Sequence, residues 1–416
     1  MTVFGRSIKL FLIFLVLLVI ALTVFVATFD ANNYKPQIIE QVEKSTGRDF
    51  TIDGDINLSI FPWIGLKVED AALGNEKGFS AKQFATIKQL DIKINALPLL
   101  KKEVEINTIR LHGLDVSLEV AKDKTNNWST IAQPEAEAGA TTEAVETTQT
   151  GDKPGAEEND ASPLQSLKIE GFEFVDAVIR YDDRSSNTTA TISEMNLTSS
   201  AIAFDAPVDI KFGARIENNQ PVIDTRLKMT TRLTFNKAVT VFNLRDFVFT
   251  MLTDANDFIA QQERVEIKSD IKISMDDQRI TFKSLQLSAL GTVTQADVTV
   301  TQFLQTPFIV ADIAVQPFDA RAVAKRVAVQ LPEMAKADTL QHVAIKTNIE
   351  QQGEKLQANN FRLKMDGSTL SGWLHLDNIS KQQLRYELAF DHLNINDYLP
   401  AASEPVTQEN AVAGAV

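Results

Sequence analysis

The chain has 416 residues, no cysteine and a formal net charge of −14 at pH 7. This length is enough for two or three domains, and the absence of cysteine excludes disulfide bonds, thiolate metal sites and cysteine catalysis. Because nucleic-acid binding needs a basic surface, we expect no nucleic-acid partner.

A long apolar run near the N-terminus predicts a membrane anchor. Leu10–Phe29 contains twenty residues without a charge, which is enough for a helix to cross a hydrocarbon core about 30 Å thick. Arg6 and Lys9 precede the run and Asp30 follows it. The positive-inside rule therefore places residues 1–9 in the cytoplasm and the body beyond the membrane. The alternative is a cleaved signal peptide, but its apolar region is usually shorter and ends at an A-x-A-like site.

A short amphipathic helix is predicted over residues 33–46. Pro36 suits a first helical turn and Gly47 suits the position after the last one. Tyr34, Ile38 and Val42 recur at helical spacing. The preferred interpretation is that this helix packs on the domain that follows, and the alternative is that it lies on the lipid surface.

The region 47–131 alternates with a period of two, which is typical of half-buried β-strands. Gly113 interrupts the pattern and indicates a bulge or a turn. We expect the polar positions to face water and the apolar positions to face a shared interior. The polar positions are Asp91, Lys93, Asp115 and Glu119. The apolar positions are Leu90, Ile92, Ile94, Leu114, Val116 and Leu118.

An acidic segment separates this region from the rest of the chain. Residues 133–163 contain eight Asp or Glu and one Lys and few side chains that could build a core, so residues 132–163 are predicted to be a disordered linker. Strand patterns resume in the regions 164–262 and 263–400, before a disordered tail over 401–416. Asp319–Leu331 is the best later helix candidate, with Asp319 as its cap and Pro332 after it, whereas Phe242–Ala260 fits either a strand or a helix.

Repeated phrases indicate that the strands are copies of one unit. Residues 85–97 read ATIKQLDIKINAL and residues 190–202 read ATISEMNLTSSAI, so Met195 and Leu197 take the places of Leu90 and Ile92. A second family of repeats is offset by about 75 residues, at 285–320 and 361–395. Repeats of this kind stack edge to edge into an elongated sheet.

Such a sheet must cover one apolar face, because exposing it to water is unfavourable by about 25 cal/mol per Å². Three arrangements satisfy this requirement: two sheets packed as a sandwich, a closed barrel, or a curved sheet whose apolar face meets lipid chains. General frequency favours the sandwich, and the predicted anchor raises the lipid option. The sequence leaves all three open.

No enzymatic motif is found. The histidines His112, His342, His375 and His392 are scattered and lack the spacing of metal ligands. The chain has no glycine-rich phosphate loop and no G-x-S-x-G elbow. We therefore expect a non-enzymatic protein without a cofactor or a metal.

Several stretches together resemble the AsmA family of Gram-negative bacteria. They are the GR-x₅-G-x-I phrase at 47–56, the block from LPLL at 97–100 to NW at 127–128, QPFDARAVAKRVAVQLP at 316–332 and the YLP that ends LRYELAFDHLNINDYLP at 384–400. The resemblance implies an inner-membrane protein with one N-terminal helix and a large periplasmic β-rich body. It also implies a role in phospholipid delivery to the outer membrane or in outer-membrane protein assembly. Members of the family commonly continue well past the YLP phrase.

The leading hypothesis is a membrane-anchored protein of mainly β class that shields phospholipid acyl chains in a groove of an elongated, curved antiparallel sheet with few short helices. The candidate lining residues are Leu90, Ile92, Ile94, Leu114, Val116, Leu118, Met195 and Leu197. The alternative is a β-sandwich that acts as an assembly factor and binds outer-membrane protein precursors or envelope proteins through its strand edges.

Overall fold

The computed structural model describes residues 30–59, 63–95, 98, 105–131, 168–254 and 259–399. The predicted membrane helix at 10–29, the acidic segment at 132–163 and the tail at 401–416 lie outside the described residues. Within the described ranges, no helix combines the length and the apolar character needed to cross a membrane.

The predicted mainly β class is confirmed, and the chain divides into two compact units, Met1–Val239 and Thr240–Val416. The elements of unit 1 are helix α1 (Lys35–Thr46) and strands β1 (Phe50–Ile52), β2 (Ile56–Ser59), β3 (Trp63–Gly74), β4 (Gln83–Asn95), β5 (Glu105–Ile106), β6 (Ile109–His112), β7 (Asp115–Val120), β8 (Lys168–Ile169), β9 (Phe172–Asp183), β10 (Thr188–Ser199), β11 (Val208–Asn219) and β12 (Val222–Phe235). The elements of unit 2 are strands β13 (Val241–Asp254), β14 (Glu263–Ser274), β15 (Arg279–Ala289), β16 (Thr292–Thr301) and β17 (Phe308–Phe318), helix α2 (Ala320–Arg326), and strands β18 (Val343–Gln352), β19 (Lys355–Met365), β20 (Ser368–Asn378) and β21 (Gln383–Phe390).

The sheet of unit 1 is mainly antiparallel, as predicted, but it contains one parallel junction that the sequence did not indicate. Strands β1 and β2 both pair with β3, and β3 pairs with β4, all antiparallel. Strand β4 pairs with β5, β6 and β7 in turn. These three short strands then pair in parallel with β8 and β9. A parallel step needs a connection of a dozen residues or more, and the chain from 132 to 167 provides that length.

The remaining strands are antiparallel neighbours in sequence. In unit 1, β9 pairs with β10, β10 with β11 and β11 with β12. In unit 2, each strand from β13 to β20 pairs with the next along the chain. The segment Phe242–Ala260, which the sequence left ambiguous, is therefore a strand as far as Asp254.

A repeated backbone irregularity interrupts many strands. The third residue of a four-residue motif, apolar–x–turn residue–apolar, has a left-handed conformation with φ between 45° and 63°. The seven third residues are Asp70, Gly113, Asp176, Glu194, Asp246, Ser284 and Asn360. Asp, Asn and Gly tolerate this conformation better than other residues. At Gly113 a Cβ atom would also lie 2.6 Å from the Lys88 side chain.

This motif shifts the alternation of side chains by one residue. Register with the neighbouring strand places Ile192 opposite Ile179 and Met195 opposite Ala177, so both apolar residues of Ile192-Ser193-Glu194-Met195 lie on one face although three positions separate them. The first repeated phrase has the same apolar–polar–polar–apolar order at Ile87–Leu90, but neither Lys88 nor Gln89 has a positive φ. The two copies therefore share the sequence pattern and not the left-handed residue.

The α-helices α1 and α2 lie next to strand ends, and two short 3-10 helices cover Ala31–Tyr34 and Ile395–Asp397. Helix α1 begins with Pro36 in its first turn and ends at Gly47, whose φ is 69°, as predicted, and Ile39 packs on the small core of Ile52, Ile56 and Ala71. The later helix is shorter than the predicted Asp319–Leu331. Asp319 caps it as expected, but it ends at Arg326, because the chain turns left-handed at Ala328. Leu331 is consequently not on a helical face.

The strands of each unit form an open sheet rather than a sandwich. In the part of the chain that the structure describes, extensive contacts between strands join hydrogen-bonded neighbours only. Few apolar side chains are fully buried: Ile52, Ile56 and Ala71 form the core near α1. Most apolar side chains in the strands are only half-buried. Of the three arrangements that the sequence left open, the open sheet is the one observed in each unit.

The left-handed positions generate a test of the fold. Glu194 is exposed and has φ 51°, so Glu194→Gly should raise the free energy of unfolding by about 0.5–1 kcal/mol, because glycine adopts this conformation without strain. Glu194→Val should lower it by about 1–2 kcal/mol. Urea unfolding followed by circular dichroism measures both.

The matched control lies on the same strand. Thr189 is exposed and has no positive φ, so Thr189→Gly should destabilise the protein by about 0.5–1 kcal/mol. If Glu194→Gly and Thr189→Gly both lowered, or both raised, the free energy of unfolding, the result would contradict the role assigned to the left-handed residue.

A candidate apolar binding face

Register assigns the side chains of unit 1 to two faces, because directly paired residues of neighbouring strands point to the same side of a sheet. Leu66 pairs with Ile92, and Leu90 pairs with Leu111 of β6. Ala85 pairs with Val116 of β7, which pairs in turn with Ile179 of β9. We call this side of unit 1 the apolar face and the opposite side the polar face.

All eight predicted lining residues lie on the apolar face. Leu90, Ile92 and Ile94 are on β4, and Ile94 pairs with Ile106 of β5. Alternation along β7 places Leu114 and Leu118 beside Val116. Met195 and Leu197 pair with Ala177 and Phe174 of β9. Two segments about a hundred residues apart in sequence therefore contribute to one surface. Whether this surface meets lipid stays a prediction.

The apolar face also includes residues that the sequence-based prediction missed. Phe172 and Phe174 lie on it with their rings 5.4 Å apart, and Leu197 leads to Phe212 on β11 and then to Met229 on β12. The alternation at 208–233 in the sequence could have identified these strands. These strands do not contain the Ala-Thr-Ile stretch found at 85–87 and 190–192, so the repeat did not identify them as part of the face.

Unit 2 has an apolar face of the same construction. Ile271 pairs with both Leu244 and Phe282, and each later strand adds further apolar side chains in register. Representative members, one from each strand, are Phe249, Ile267, Leu287, Val298, Ile313, Ile345, Leu363, Leu370 and Phe390. The left-handed residues Asp246, Ser284 and Asn360 keep the apolar residues before and after them on this face.

These faces remain partly open to solvent. Leu58 and Ile64 in unit 1 are 37% and 36% exposed, and Leu384 and Tyr386 in unit 2 are 49% and 62% exposed. Apolar side chains of adjacent strands contact one another within the sheet and shield one another partly from water. Within the described ranges, no second layer covers them. The arrangement can bind elongated apolar molecules along the face, and it offers few polar groups with which to orient them.

The polar face differs from the prediction at two positions. Lys93 and Asp115 are partly exposed, as expected, but Asp91 and Glu119 are only 8% and 3% exposed. Asp91 lies opposite Lys67 and Arg110 of the two neighbouring strands, and its Oδ2 is 3.0 Å from Nζ of Lys93. The long basic side chains shield the carboxylate from water, which alternation alone does not reveal.

Glu119 is buried because a loop closes over the end of β7. Its carboxylate accepts hydrogen bonds from the Ser80 amide at 2.9 Å, the Ala81 amide at 2.7 Å and the Asn75 amide group at 3.1 Å. Arg184 also donates to it at 3.0 Å. Burial alone raises the pKa of Glu119, but these hydrogen bonds and the Arg184 charge outweigh it and hold the pKa below its usual range.

The same region joins two of the motifs noted in the sequence. Arg48 of the GR phrase donates from Nη2 to the carbonyl oxygen of Asn127, at 2.6 Å, and stacks over the Phe84 ring at 4.9 Å. The fully buried Asn127 side chain accepts from the Glu119 amide and donates to Asn75 and Ser117. The two motifs thus form one buried polar cluster, whose evident role is to close the end of the sheet.

The YLP phrase noted in the sequence is fixed at one end of unit 2. Tyr398 of the YLP phrase donates to Asp366 at 2.9 Å, and the Ala335 amide donates to the carbonyl oxygen of Leu399 at 2.8 Å. Burial, with the Asp366 hydrogen bond, raises the pKa of Tyr398 to about 12. These contacts hold residues 391–399 across the strand ends.

None of the residues that the structure describes forms a group of three or more His, Asp or Glu able to hold a metal ion. The buried side chains of Glu119 and Asn127 are held by structural hydrogen bonds, whereas Oδ1 of Asp91 and Nη1 of Arg48 have no hydrogen-bond partner in the described part of the chain. Neither of these two atoms lies in a group of potential metal ligands among the described residues, and the apolar faces are the extended features of both units that a structural role leaves unexplained.

Comparison with known proteins connects this architecture to a family. The sequence model of the AsmA family matches residues 1–414. The chain is similar to the AsmA family protein YhjG of Escherichia coli (strain K12), with 31% identity over 128 residues, which are 28% of this chain and 18% of that protein. The match thus spans less than a fifth of that relative's length. No solved structure matches the chain.

The buried cluster generates a pH-dependent prediction. At neutral pH, Glu119→Gln should lower the free energy of unfolding by about 2–3 kcal/mol, because charge-assisted hydrogen bonds are lost. The lowered pKa means that this stabilisation is complete above the unfolded pKa, near 4.5, and is lost as the pH falls through the folded-state pKa. Urea unfolding at a series of pH values should therefore show wild type and variant converging in acid.

The matched control is Glu173→Gln. Glu173 pairs with Arg110 at 2.6 Å, but its side chain is 35% exposed, so its loss should cost less than about 1 kcal/mol. A constant difference between wild type and Glu119→Gln from pH 7 to about pH 3 would contradict the assignment.

Proposed function

Because the chain belongs to the AsmA family, we propose that it is a non-enzymatic protein that holds phospholipid acyl chains against its apolar faces and contributes to outer-membrane biogenesis and lipid homeostasis. The supporting observation is that the strands β9 to β12 of unit 1 and β13 to β21 of unit 2 each add apolar side chains to the open face of their own unit. A soluble partner with a fixed shape would not need so long and so uniform a surface. An acyl chain does, since it is uniform along its length.

The energetics support binding of chains rather than head groups. Removing apolar surface from water is favourable by about 0.8 kcal/mol for each CH₂ group, so a chain lying across several strands gains several kcal/mol without a specific polar contact. The polar face, with ion pairs such as Arg110–Glu173 and Arg180–Asp115, would remain in water. One protein could therefore present lipid and aqueous surfaces on opposite sides.

We also propose the location that the N-terminal sequence predicts. Leu10–Phe29 would cross the inner membrane once, with residues 1–9 in the cytoplasm and the β-rich body in the periplasm. The cysteine-free sequence makes this easy to test. A cysteine introduced at exposed Leu304 should react with a membrane-impermeant maleimide once the outer membrane is permeabilised, whereas Ser7→Cys should react only after the inner membrane is opened. The opposite labelling would refute the orientation.

Lipid contact can be tested by photocrosslinking in cells. A benzophenone amino acid placed at Leu197 should form phospholipid adducts, because Leu197 lies on the apolar face. The same group at the next residue, Thr198, should not, because Thr198 pairs with Glu173 and Lys211 on the polar face. Mass spectrometry of the purified adducts identifies the lipid.

A second variant pair tests affinity. Ile92→Arg places a cation on the apolar face, where the cost next to acyl chains is about 2.5–3.5 kcal/mol, so adduct yield at Leu197 should fall more than tenfold. Gln89→Arg, on the polar face of the same strand, should leave the adduct yield unchanged.

Equal yields of lipid adducts at Leu197 and Thr198 would exclude the lipid proposal. Adducts with outer-membrane protein precursors instead would favour an assembly factor.

A further inference from the structure

Strand β21 has a free edge in the part of the chain that the structure describes. It runs for eight residues and pairs only with β20. All its residues except Leu388 are exposed, and Tyr386 is 62% exposed. Its register with β20 is regular from Leu384 to Phe390, so its outward backbone groups form an uninterrupted row.

Exposed edges of this kind are normally blunted, because they pair readily with other strands. The N-terminal edge of unit 1 shows such protection: β1 and β2 have three and four residues, and Ile39 of α1 packs beside them. Strand β21 has neither a proline nor a lysine. The segment after it does not cover the edge as far as it is described, since Asp391 bonds to Thr369 and Leu399 to Ala335 across the strand ends.

The two sides of β21 have different chemistry. Leu384, Tyr386, Leu388 and Phe390 continue the apolar face of unit 2, and Arg385 and Glu387 alternate with them on the polar face. Arg385 pairs with Asp377 at 2.7 Å. Glu387 accepts from the Trp373 indole at 3.3 Å and has no cationic partner among the described residues. A strand that fits this edge must present apolar side chains on one face and a cation opposite Glu387.

We propose that this partner is β21 of a second copy of the chain, paired antiparallel about a twofold axis at Tyr386. That register sets Arg385 of each copy opposite Glu387 of the other and Leu384 opposite Leu388. Apolar side chains then meet apolar ones, and opposite charges meet twice. An axis at Glu387 would instead place two carboxylates opposite each other, which is unfavourable. The dimer joins the apolar faces of two copies.

The interface is small. A single strand pair buries less than the roughly 1,200 Å² typical of stable complexes, so the dimer should exchange and depend on protein concentration. Covalent trapping is therefore the appropriate measurement, and the chain has no native cysteine to interfere with it.

The first experiment oxidises the purified full-length protein carrying Tyr386→Cys. Residues on the axis are directly paired, so a disulfide-linked dimer should form at least fivefold faster than with Leu304→Cys, an equally exposed control at 64%. Glu387→Cys should link more slowly than Tyr386→Cys, because its opposite residue is Arg385. Rates at or below the Leu304→Cys control, with circular dichroism unchanged, would overturn the proposal.

The second experiment tests the charges with matched variants, both containing Tyr386→Cys. Arg385→Glu gives a strand with two acidic residues, and Glu387→Arg gives one with two basic residues. Each alone should link at least fivefold more slowly than the parent, because like charges oppose, and an equimolar mixture should recover the parental rate as mixed dimers. Mixed dimers no more frequent than chance would contradict the register, and so would linkage unaffected by either charge reversal.

Discussion

The constraint on which the structure depends is that each strand must hydrogen-bond to two neighbours and still keep its apolar side chains on one side. Simple alternation achieves this only in regular strands. Where a strand contains a left-handed residue, the alternation shifts, and the sequence compensates by placing two polar residues between apolar ones, as in Ile192-Ser193-Glu194-Met195. The left-handed residue costs conformational energy, and interruptions of this kind bend a strand. The apolar face nevertheless stays continuous.

The sequence predicted the features that follow from local pattern. Alternation identified the strands and placed Leu90, Val116 and Met195 on what proves to be one face, and Asp319 marked the start of a helix. Features set by tertiary context were missed. The burial of Glu119, for example, depends on a loop some forty residues away. The early end of helix α2 is a local feature at the left-handed Ala328, but the continuing apolar spacing to Leu331 concealed it. The parallel pairing of β7 with β9 has no signature in either strand.

The buried polar groups and the open apolar faces reverse the usual arrangement of a globular protein. Charged residues such as Arg48 and Glu119 are enclosed at one end of unit 1, whereas the apolar side chains of the strands are only half-buried. The polar cluster provides the directional bonds that fix the end of a sheet which lacks a conventional core. The apolar side chains are then free of a packing role and available for contact with another molecule.

The parallel pairing of β7 with β9 has a consequence for chain continuity. Every other long strand pair described in unit 1 includes a hairpin connection, but β7 and β9 are joined only through the residues between 131 and 168. If the backbone were cut there, the pieces on either side would be held by the strand pairing and by the Arg184 and Glu119 side chains. The segment between residues 131 and 168 is therefore the natural place to divide this unit into two complementary fragments. Their reassembly would depend on the concentrations of the fragments.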